Sequence, residues 1–171
     1  HVGGPVKTHK ATIAIMGQFI TGFTAGVWVR EPMLNQGGKR GDLKVDNFLG
    51  GQTLVIDVTG TNNSLMSKDT LFATTKTKDA RLQPGRYGQK AAQDKRAENE
   101  SICKANGWRF QPFVLEALGG WDKSALLWAE QLMQAATDLG PTESGSMNPK
   151  GVKAMFIRKM ASIHRKTLLW S

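Results

Sequence analysis

The stretch Thr53-Leu54-Val55-Ile56-Asp57-Val58-Thr59 decides the fold class that the sequence predicts. It is apolar on both faces except at Asp57, and such a run is typical of a central strand that is covered on both sides. Burying a lone carboxylate is costly, so an aspartate inside such a strand needs a partner. The stretch therefore predicts an interior strand and marks Asp57 as a candidate functional residue.

The segments around this strand predict an α/β domain with a mixed sheet flanked by helices. Gly50-Gly51 is typical of a hairpin turn before the central strand, and Pro112 favours an edge position or a bulge for the last strand. The predicted order begins with a helix at 9–23 and strands at 27–31, 42–48 and 53–59. A helix at 88–105 and a strand at 108–115 follow, and two further helices begin after Asp122 and at Asn148-Pro149. The helix after Asp122 is predicted to bury Ala125, Leu126, Ala129, Leu132 and Met133.

The length of 171 residues fits one domain. We expect a loose N-terminal arm at 1–8, a core at 9–137 and a basic helical extension at 138–171 that packs on the same domain. No run of about 18 apolar residues is present to span a membrane, and no signal peptide is visible. The single cysteine, Cys103, favours a reducing compartment. We therefore expect an intracellular protein of the nucleus or an organelle, not a secreted one, and part of a larger polypeptide or complex.

The charge balance favours a polyanionic partner, above all nucleic acid. Lys and Arg number 23 against 14 Asp and Glu, which gives a formal charge of +9. An acidic membrane surface, a ribosome-like assembly or no such partner at all is also compatible with this charge. The segment 148–171 contains several basic residues and no acidic ones. The alternative interpretation of this segment is a helix face exposed to solvent. The candidate nucleic-acid-binding residues are Lys39, Arg40, Lys44, Lys153, Arg158, Lys159, Arg165 and Lys166.

A second aspartate, Asp42, lies on the strand that precedes the central one. Strands joined by a short glycine hairpin pair antiparallel, so Asp42 and Asp57 are expected to approach each other. A divalent cation relieves the repulsion of two close carboxylates, and Mg²⁺ commonly takes one or two of them. The competing interpretation is structural: Asp57 lies at the strand end and accepts hydrogen bonds from the backbone or from Arg and Lys.

Short motifs, taken in order and spacing, resemble a known nuclease family. They are Arg40-Gly41-Asp42-Leu43, Ile56-Asp57-Val58-Thr59, the segment from Phe110 to Glu116 and Gly119-Gly120-Trp121, preceded by a His9-bearing helix, Ala25-Gly26 and Arg30-Glu31-Pro32. The arrangement resembles the restriction-endonuclease-like domain at the end of the reverse-transcriptase-like proteins of site-specific retroelements, within the PD-(D/E)XK superfamily. The similarity spans roughly 9–137. It implies a restriction-endonuclease-like core and metal-dependent cutting of nucleic acid, DNA more than RNA, with Mg²⁺ or Mn²⁺.

The resemblance assigns roles to individual residues. Asp42 matches the first metal-binding aspartate and Asp57 the second acidic position, while Glu31 corresponds to an outer-shell metal contact. Gly41 stands where the family has proline, and Thr59 stands where the superfamily has its catalytic lysine.

In the retroelement group that lysine comes from the following helix, which implies Lys95 in this chain. A solvated helix charge is the competing interpretation of Lys95. The tyrosine of the group falls at Asn99.

Two functions follow from these observations, and a third is weaker. The first is a metal-dependent endonuclease with Asp42, Asp57 and Lys95 as its catalytic residues. The second, motivated by Thr59 and Asn99, is a catalytically inactive nucleic-acid-binding or structural module of a larger ribonucleoprotein assembly. The third is a protein-interaction domain without a nucleic-acid role.

Overall fold

A computed structural model of the chain describes residues 4–61, 86–116, 121–138 and 148–168. These ranges contain helices and strands in the order that the sequence predicts. The elements are α1 Gly4–Phe23, β1 Val27–Arg30, β2 Leu43–Leu49, β3 Gln52–Thr61, α2 Arg86–Ala105, β4 Arg109–Glu116, α3 Lys123–Asp138 and α4 Pro149–Leu168. The α/β class is therefore confirmed.

The strands form one mixed sheet with the order β1-β2-β3-β4. β1, β2 and β3 pair antiparallel, whereas β3 and β4 run parallel and are connected through α2. β3 lies inside the sheet and β4 lies at its edge, as predicted from the apolar run and from Pro112. An edge strand tolerates Pro112 because its missing N–H removes no ladder bond on the open side.

The hairpin between β2 and β3 is the turn predicted at Gly50-Gly51. Both glycines have positive φ, +57° and +78°, which is the backbone that a two-residue type I′ turn requires. The turn sets the register in which Leu49 faces Gln52. An irregularity between Val45 and Leu49 then shifts the register, so that Leu43 faces Ile56.

Both faces of β3 are covered, because its side chains alternate between two clusters of buried residues. Leu54, Ile56 and Val58 belong to the main core, together with buried side chains of α1, α3 and α4. Val55 points to the other face, where it packs with residues such as Cys103 at the end of α2. Asp57 follows Val55 by two positions, so alternation directs it towards α2 as well.

Aromatic contacts join α3 and α4 to the rest of the core. Trp128 of α3 stacks on Phe48 with 4.9 Å between ring centroids. Phe156 of α4 meets Phe19 of α1 edge-on at 5.1 Å and Phe113 of β4 at 6.3 Å. The basic C-terminal helix therefore has an apolar face within the main core.

Side chains cap the N-termini of α3 and α4, at the two predicted helix starts. Asp122 Oδ2 accepts a hydrogen bond from the Ser124 N–H at 3.0 Å, and Asn148 Oδ1 accepts one from the Gly151 N–H at 2.8 Å. Among the described residues, none of the helices combines the length and apolar character needed to cross a membrane.

Two sequence-based expectations need correction. Residues 4–8, expected within a loose arm, form the first turns of α1. A proline is compatible with this because the first helical turn leaves its N–H groups unpaired. Leu126, expected to be buried, is 44% exposed, whereas Trp128 is fully buried. The buried positions of α3 follow the i, i+3, i+4, i+7 pattern from Ala125, and Leu126 lies one step off that stripe.

Candidate active site

Asp42 and Asp57 lie side by side where β2 begins, on the neighbouring antiparallel strands that the sequence predicts, after the register shift between Val45 and Leu49. Asp42 is the residue immediately before β2, and its N–H donates to the Ile56 carbonyl at 3.2 Å. This bond extends the pairing that starts at Leu43 and Ile56. The two carboxyl groups lie within hydrogen-bonding reach of each other.

The Asp42 carboxylate is held from two sides. Its Oδ2 accepts the Val58 N–H at 2.6 Å, and the same oxygen lies 3.0 Å from His9 Nε2 on α1. The His9 side chain is about a third exposed and that of Asp42 is 18% exposed. One helix of the main core thus contributes an imidazole to the aspartate pair, defined as Asp42 and Asp57.

The Asp57 carboxylate is held by α2. Asn99 Nδ2 donates to Asp57 Oδ2 at 2.8 Å, and Lys95 Nζ lies 3.2 Å from the same oxygen. Lys95 and Asn99 are four residues apart, which places them on one face of the helix. Asn99 is completely buried, and Asp57 is 8% exposed.

The surroundings shift the pKa values of the two aspartates in opposite directions. Burial raises the pKa of Asp57 to about 6, and the neighbouring Asp42 adds to the increase while Lys95 opposes it. Burial also disfavours the charged form of Asp42, but hydrogen bonds from His9 and the Val58 N–H outweigh it and hold the pKa of Asp42 below its ordinary value. As the pH falls, Asp57 therefore takes up a proton before Asp42 does.

His9 shows the complementary shift. Its hydrogen bond to Asp42 raises its pKa above the ordinary value, although partial burial opposes the increase. The imidazolium is thus favoured beside an anionic Asp42.

A chain of charges leads from the pair to the protein surface. Glu98 Oε2 lies 3.8 Å from Lys95 Nζ and 3.4 Å from Lys39 Nζ. Lys39 is one of the predicted nucleic-acid-binding residues, and its side chain is 39% exposed. The structure therefore connects a surface lysine to the aspartate pair through one carboxylate.

Glu31 does not join the pair through its side chain. Its N–H donates to the Asp42 carbonyl at 3.0 Å, but its carboxylate is more than half exposed and lies 3.8 Å from both Arg30 and Arg40. Its backbone φ of +51° is in the left-handed region. Among the described contacts, the predicted outer-shell carboxylate meets arginines and not the two aspartates.

Lys44 and Lys153, two other predicted nucleic-acid contacts, have acidic neighbours. Lys44 Nζ lies 3.1 Å from Asp46 and 4.9 Å from the centre of the Trp108 ring. Lys153 Nζ lies 3.4 Å from Glu130, which ties α4 to α3. Both lysines therefore have structural contacts besides any role in binding.

Further along α4 the predicted basic residues have fewer described contacts. Arg158 Nε donates to the Ala154 carbonyl of its own helix at 3.4 Å, and Lys159 is exposed. The side chains of Arg165 and Lys166 lie outside the described residues. Arg158 and Lys159 are the predicted contacts on α4 that face solvent without a described acidic partner.

The departure at Gly41 has a local explanation. Its N–H donates to the Pro32 carbonyl at 3.1 Å, and a Cβ atom at this position would lie 3.0 Å from Val55 Cγ1. A proline would lose the hydrogen bond and crowd the strand next to Asp42. Thr59, the other departure, lies on β3 opposite Val114 of β4.

The donor set at the pair fits a hard divalent cation. Two carboxylates repel each other there. The Asn99 side-chain amide donates to Asp57 through Nδ2, and its Oδ1 is buried without a hydrogen-bond partner among the described residues. Mg²⁺ and Mn²⁺ prefer such oxygen ligands. The residues that could hold the cation directly are Asp42 and Asp57. No group of three or more His, Cys, Asp and Glu side chains suited to a metal occurs in the described part of the chain.

Comparison with known proteins adds no family assignment, since no family model and no curated protein matches the chain. The geometry itself shows what sequence reasoning missed. His9 and Asn99 each donate to one member of the aspartate pair. The spacing of Lys95 and Asn99 on α2 is a signal that could have identified Asn99, whereas His9 lies on a distant helix and has no local signal.

Proposed function

We propose that the domain is a metal-dependent phosphodiesterase of the endonuclease type that binds and cuts nucleic acid, with DNA as the preferred substrate. One observation carries the proposal: Asp42, Asp57 and Lys95 converge, although they come from the start of β2, the middle of β3 and helix α2. A lysine that reaches such a pair from the following helix is what the resemblance to restriction-endonuclease-like domains implies.

In the proposed reaction, Asp42 and Asp57 bind Mg²⁺ or Mn²⁺. Such a cation would polarise a phosphoryl oxygen and lower the pKa of a bound water. Lys95 then has the position for steadying the attacking water or the negative charge that develops on the phosphoryl group. Lys95, whose Nζ lies 3.2 Å from Asp57, takes the place of the catalytic lysine in this proposal, because position 59 is a threonine.

The surroundings of the pair suit an anionic substrate. Lys39 and Arg40 lie three and two residues before Asp42 in the chain, and both are substantially exposed. Contacts of this kind with phosphates give binding that depends on salt and not on base sequence. A DNA substrate favours a location of the protein in the nucleus or an organelle. We propose that the domain acts there within a larger polypeptide or complex.

Cleavage of supercoiled plasmid in Mg²⁺ or Mn²⁺ tests the activity. Asp57→Asn and Lys95→Gln are each expected to reduce the cutting rate by about 100-fold or more, as is typical when a group that stabilises the transition state is removed. Asp46→Asn is the matched control for Asp57, because it removes the same charge from β2 at a residue that contacts Lys44 and Thr53. Lys90→Gln, an exposed lysine of α2, serves in the same way for Lys95.

The controls decide how the result is interpreted. Cutting that persists in Asp57→Asn, or that Asp46→Asn removes equally, would contradict the proposed site. Failure of the unaltered domain to cut with either metal would refute the activity itself.

A second candidate function has its own observation. Lys95 and His9 lie against Asp57 and Asp42 and offset their charge. This arrangement is also compatible with an inactive module that binds nucleic acid. Fluorescence anisotropy with labelled DNA and RNA in EDTA distinguishes the two. Binding that falls with salt and is unchanged by Mg²⁺, together with no cutting, would favour the inactive module.

A further inference from the structure

The amide of Asn99 is only half used. Its Nδ2 donates to Asp57 Oδ2 at 2.8 Å, while its Oδ1 is buried and has no hydrogen-bond partner among the described residues. The whole residue is 0% exposed. A buried carbonyl oxygen without a donor is costly, and such exceptions call for an explanation. The neighbouring carboxylates suggest one.

The donors around the aspartate pair share a pattern. Asn99 and Lys95 both contact Oδ2 of Asp57, and His9 and the Val58 N–H both contact Oδ2 of Asp42. Among these described contacts, Oδ1 of each aspartate receives no nitrogen donor. The described nitrogen donors therefore fix each carboxylate through one oxygen.

We propose that Asn99 is a positioning residue of the cation site, which holds Asp57 through its Nδ2 and contributes its buried Oδ1 as a third, neutral oxygen to the bound Mg²⁺ or Mn²⁺ or to its hydration shell. The inference rests on the proposed function, since it concerns the same cation. A neutral oxygen suits this place because a third carboxylate would add to the repulsion within the pair. A hydrophobic residue would neither fix Asp57 nor offer an oxygen.

Mn²⁺ binding measured by electron paramagnetic resonance tests this role without any activity assay. Asn99→Leu, which keeps the size and removes both polar atoms, is expected to weaken Mn²⁺ binding about tenfold, which corresponds to about 1.4 kcal/mol. Asn99→Asp loses the donor to Asp57 but retains an oxygen at the position, and it is expected to bind Mn²⁺ more tightly than Asn99→Leu. A purely structural role of Asn99 would not separate these two variants in this direction.

Asn106→Leu is the matched control. Asn106 Nδ2 donates to the Leu34 and Ile102 carbonyls at 3.1 and 2.9 Å, and the residue lies about 10 Å further along the helix direction than Asn99. This variant is expected to lose thermal stability and to keep its Mn²⁺ affinity. If Asn99→Leu does not fold, Asn99→Ser, which is too short to reach Asp57, takes its place with the same expectation of weaker binding.

The outcomes separate this inference from the proposed function. If the unaltered domain binds no Mn²⁺, or if Asp57→Asn binds it as well as the unaltered domain, the cation site and the role of Asn99 both fall. If Asp57→Asn loses Mn²⁺ while Asn99→Leu, or its Ser replacement, binds normally, only the role of Asn99 is overturned. Binding in Asn99→Asp that is no tighter than in Asn99→Leu would overturn it as well.

Discussion

The raised pKa of Asp57 makes the stability of the metal-free domain depend on pH. Burial is the main cause of the increase to about 6, with a contribution from Asp42. In the unfolded chain the group has its ordinary value of 3.8. The folded state therefore binds a proton more tightly than the unfolded state, and its stability falls as the pH rises through this interval.

The size of the effect follows from the two pKa values. A shift of one unit corresponds to about 1.4 kcal/mol, so the complete titration of Asp57 is worth about 3 kcal/mol. Between pH 4.5 and pH 7 the loss is about 2 kcal/mol, because at pH 4.5 the unfolded group is already mostly ionised. Asp57→Asn removes the titrating proton and keeps an oxygen for the Asn99 amide, so this loss is expected to disappear in the variant.

Urea unfolding in EDTA at pH 4.5 and pH 7.0 measures the difference. The free energy of unfolding of the unaltered domain, relative to that of Asp57→Asn, is expected to fall by about 2 kcal/mol between the two conditions. The raised pKa of His9 gives stability that is present below 6.5 and is lost as the pH rises through the folded value. His9 titrates in both proteins, so the comparison with Asp57→Asn removes most of this contribution. Asp42 contributes in the opposite sense, and only as the pH falls towards its lowered pKa.

Equal pH dependence in the two proteins would refute the reasoning that Asp57 is buried with a high pKa. A relative stability that rises with pH would show instead that Lys95 dominates and lowers the pKa. Asp46→Asn provides the control for the loss of a carboxylate from the same sheet, and the pKa of Asp46 is lowered by its hydrogen bond from Thr53. Relative to the unaltered domain, the free energy of unfolding of Asp57→Asn is expected to rise between pH 4.5 and pH 7.0, whereas that of Asp46→Asn is not.

Three further changes have expected outcomes that ordinary assays can check. Gly41→Pro removes the N–H that donates to the Pro32 carbonyl, and we expect a loss of about 1–3 kcal/mol in urea unfolding; an unchanged midpoint would contradict this. Asn148→Ala removes the N-cap of α4 and should cost about 1 kcal/mol, seen as a lower melting temperature. Arg158→Ala should reduce the slope of log affinity for DNA against log salt by about 1 if its exposed guanidinium contacts a phosphate; Lys153→Ala, which removes a lysine that is partnered by an acid, should reduce it less.

Much of the fold was predictable because local signals agreed with each other. The apolar run around Ile56 indicated an interior strand, Gly50-Gly51 indicated a hairpin, and Asp122 and Asn148 indicated helix starts. Each of these signals depends on short-range geometry, and the structure contains the corresponding element at each place. The start of α1 was less accessible, since a proline can either precede a helix or lie in its first turn.

The site was predictable only in part. Antiparallel pairing across the two-residue turn predicts that Asp42 and Asp57 lie on neighbouring strands, but counting from Leu49 and Gln52 alone would place Asp42 opposite Thr59. An irregularity between Val45 and Leu49 shifts the register by two residues and brings Asp42 to Asp57, and the sequence does not reveal that shift. The position of Lys95 came from the resemblance, because the sequence does not reveal how α2 is rotated over the sheet. His9 reaches Asp42 from another helix, and such a contact depends on the packing of α1, which no periodicity specifies.

The distribution of polar groups argues against a purely structural explanation of the pair. The neighbouring contacts between β3 and α2 are apolar, through residues such as Val55 and Cys103, and a stable interface would be obtained by continuing that pattern. Instead Asp57 is buried at the cost of a raised pKa, and Asn99 is buried with an unpartnered oxygen. Both features oppose stability, and they lie within one hydrogen bond of each other. Local departures of this kind are expected where a site needs charge and oxygen ligands in place. A structural role would require a partner for the Asn99 oxygen, and the cation that we propose would be such a partner.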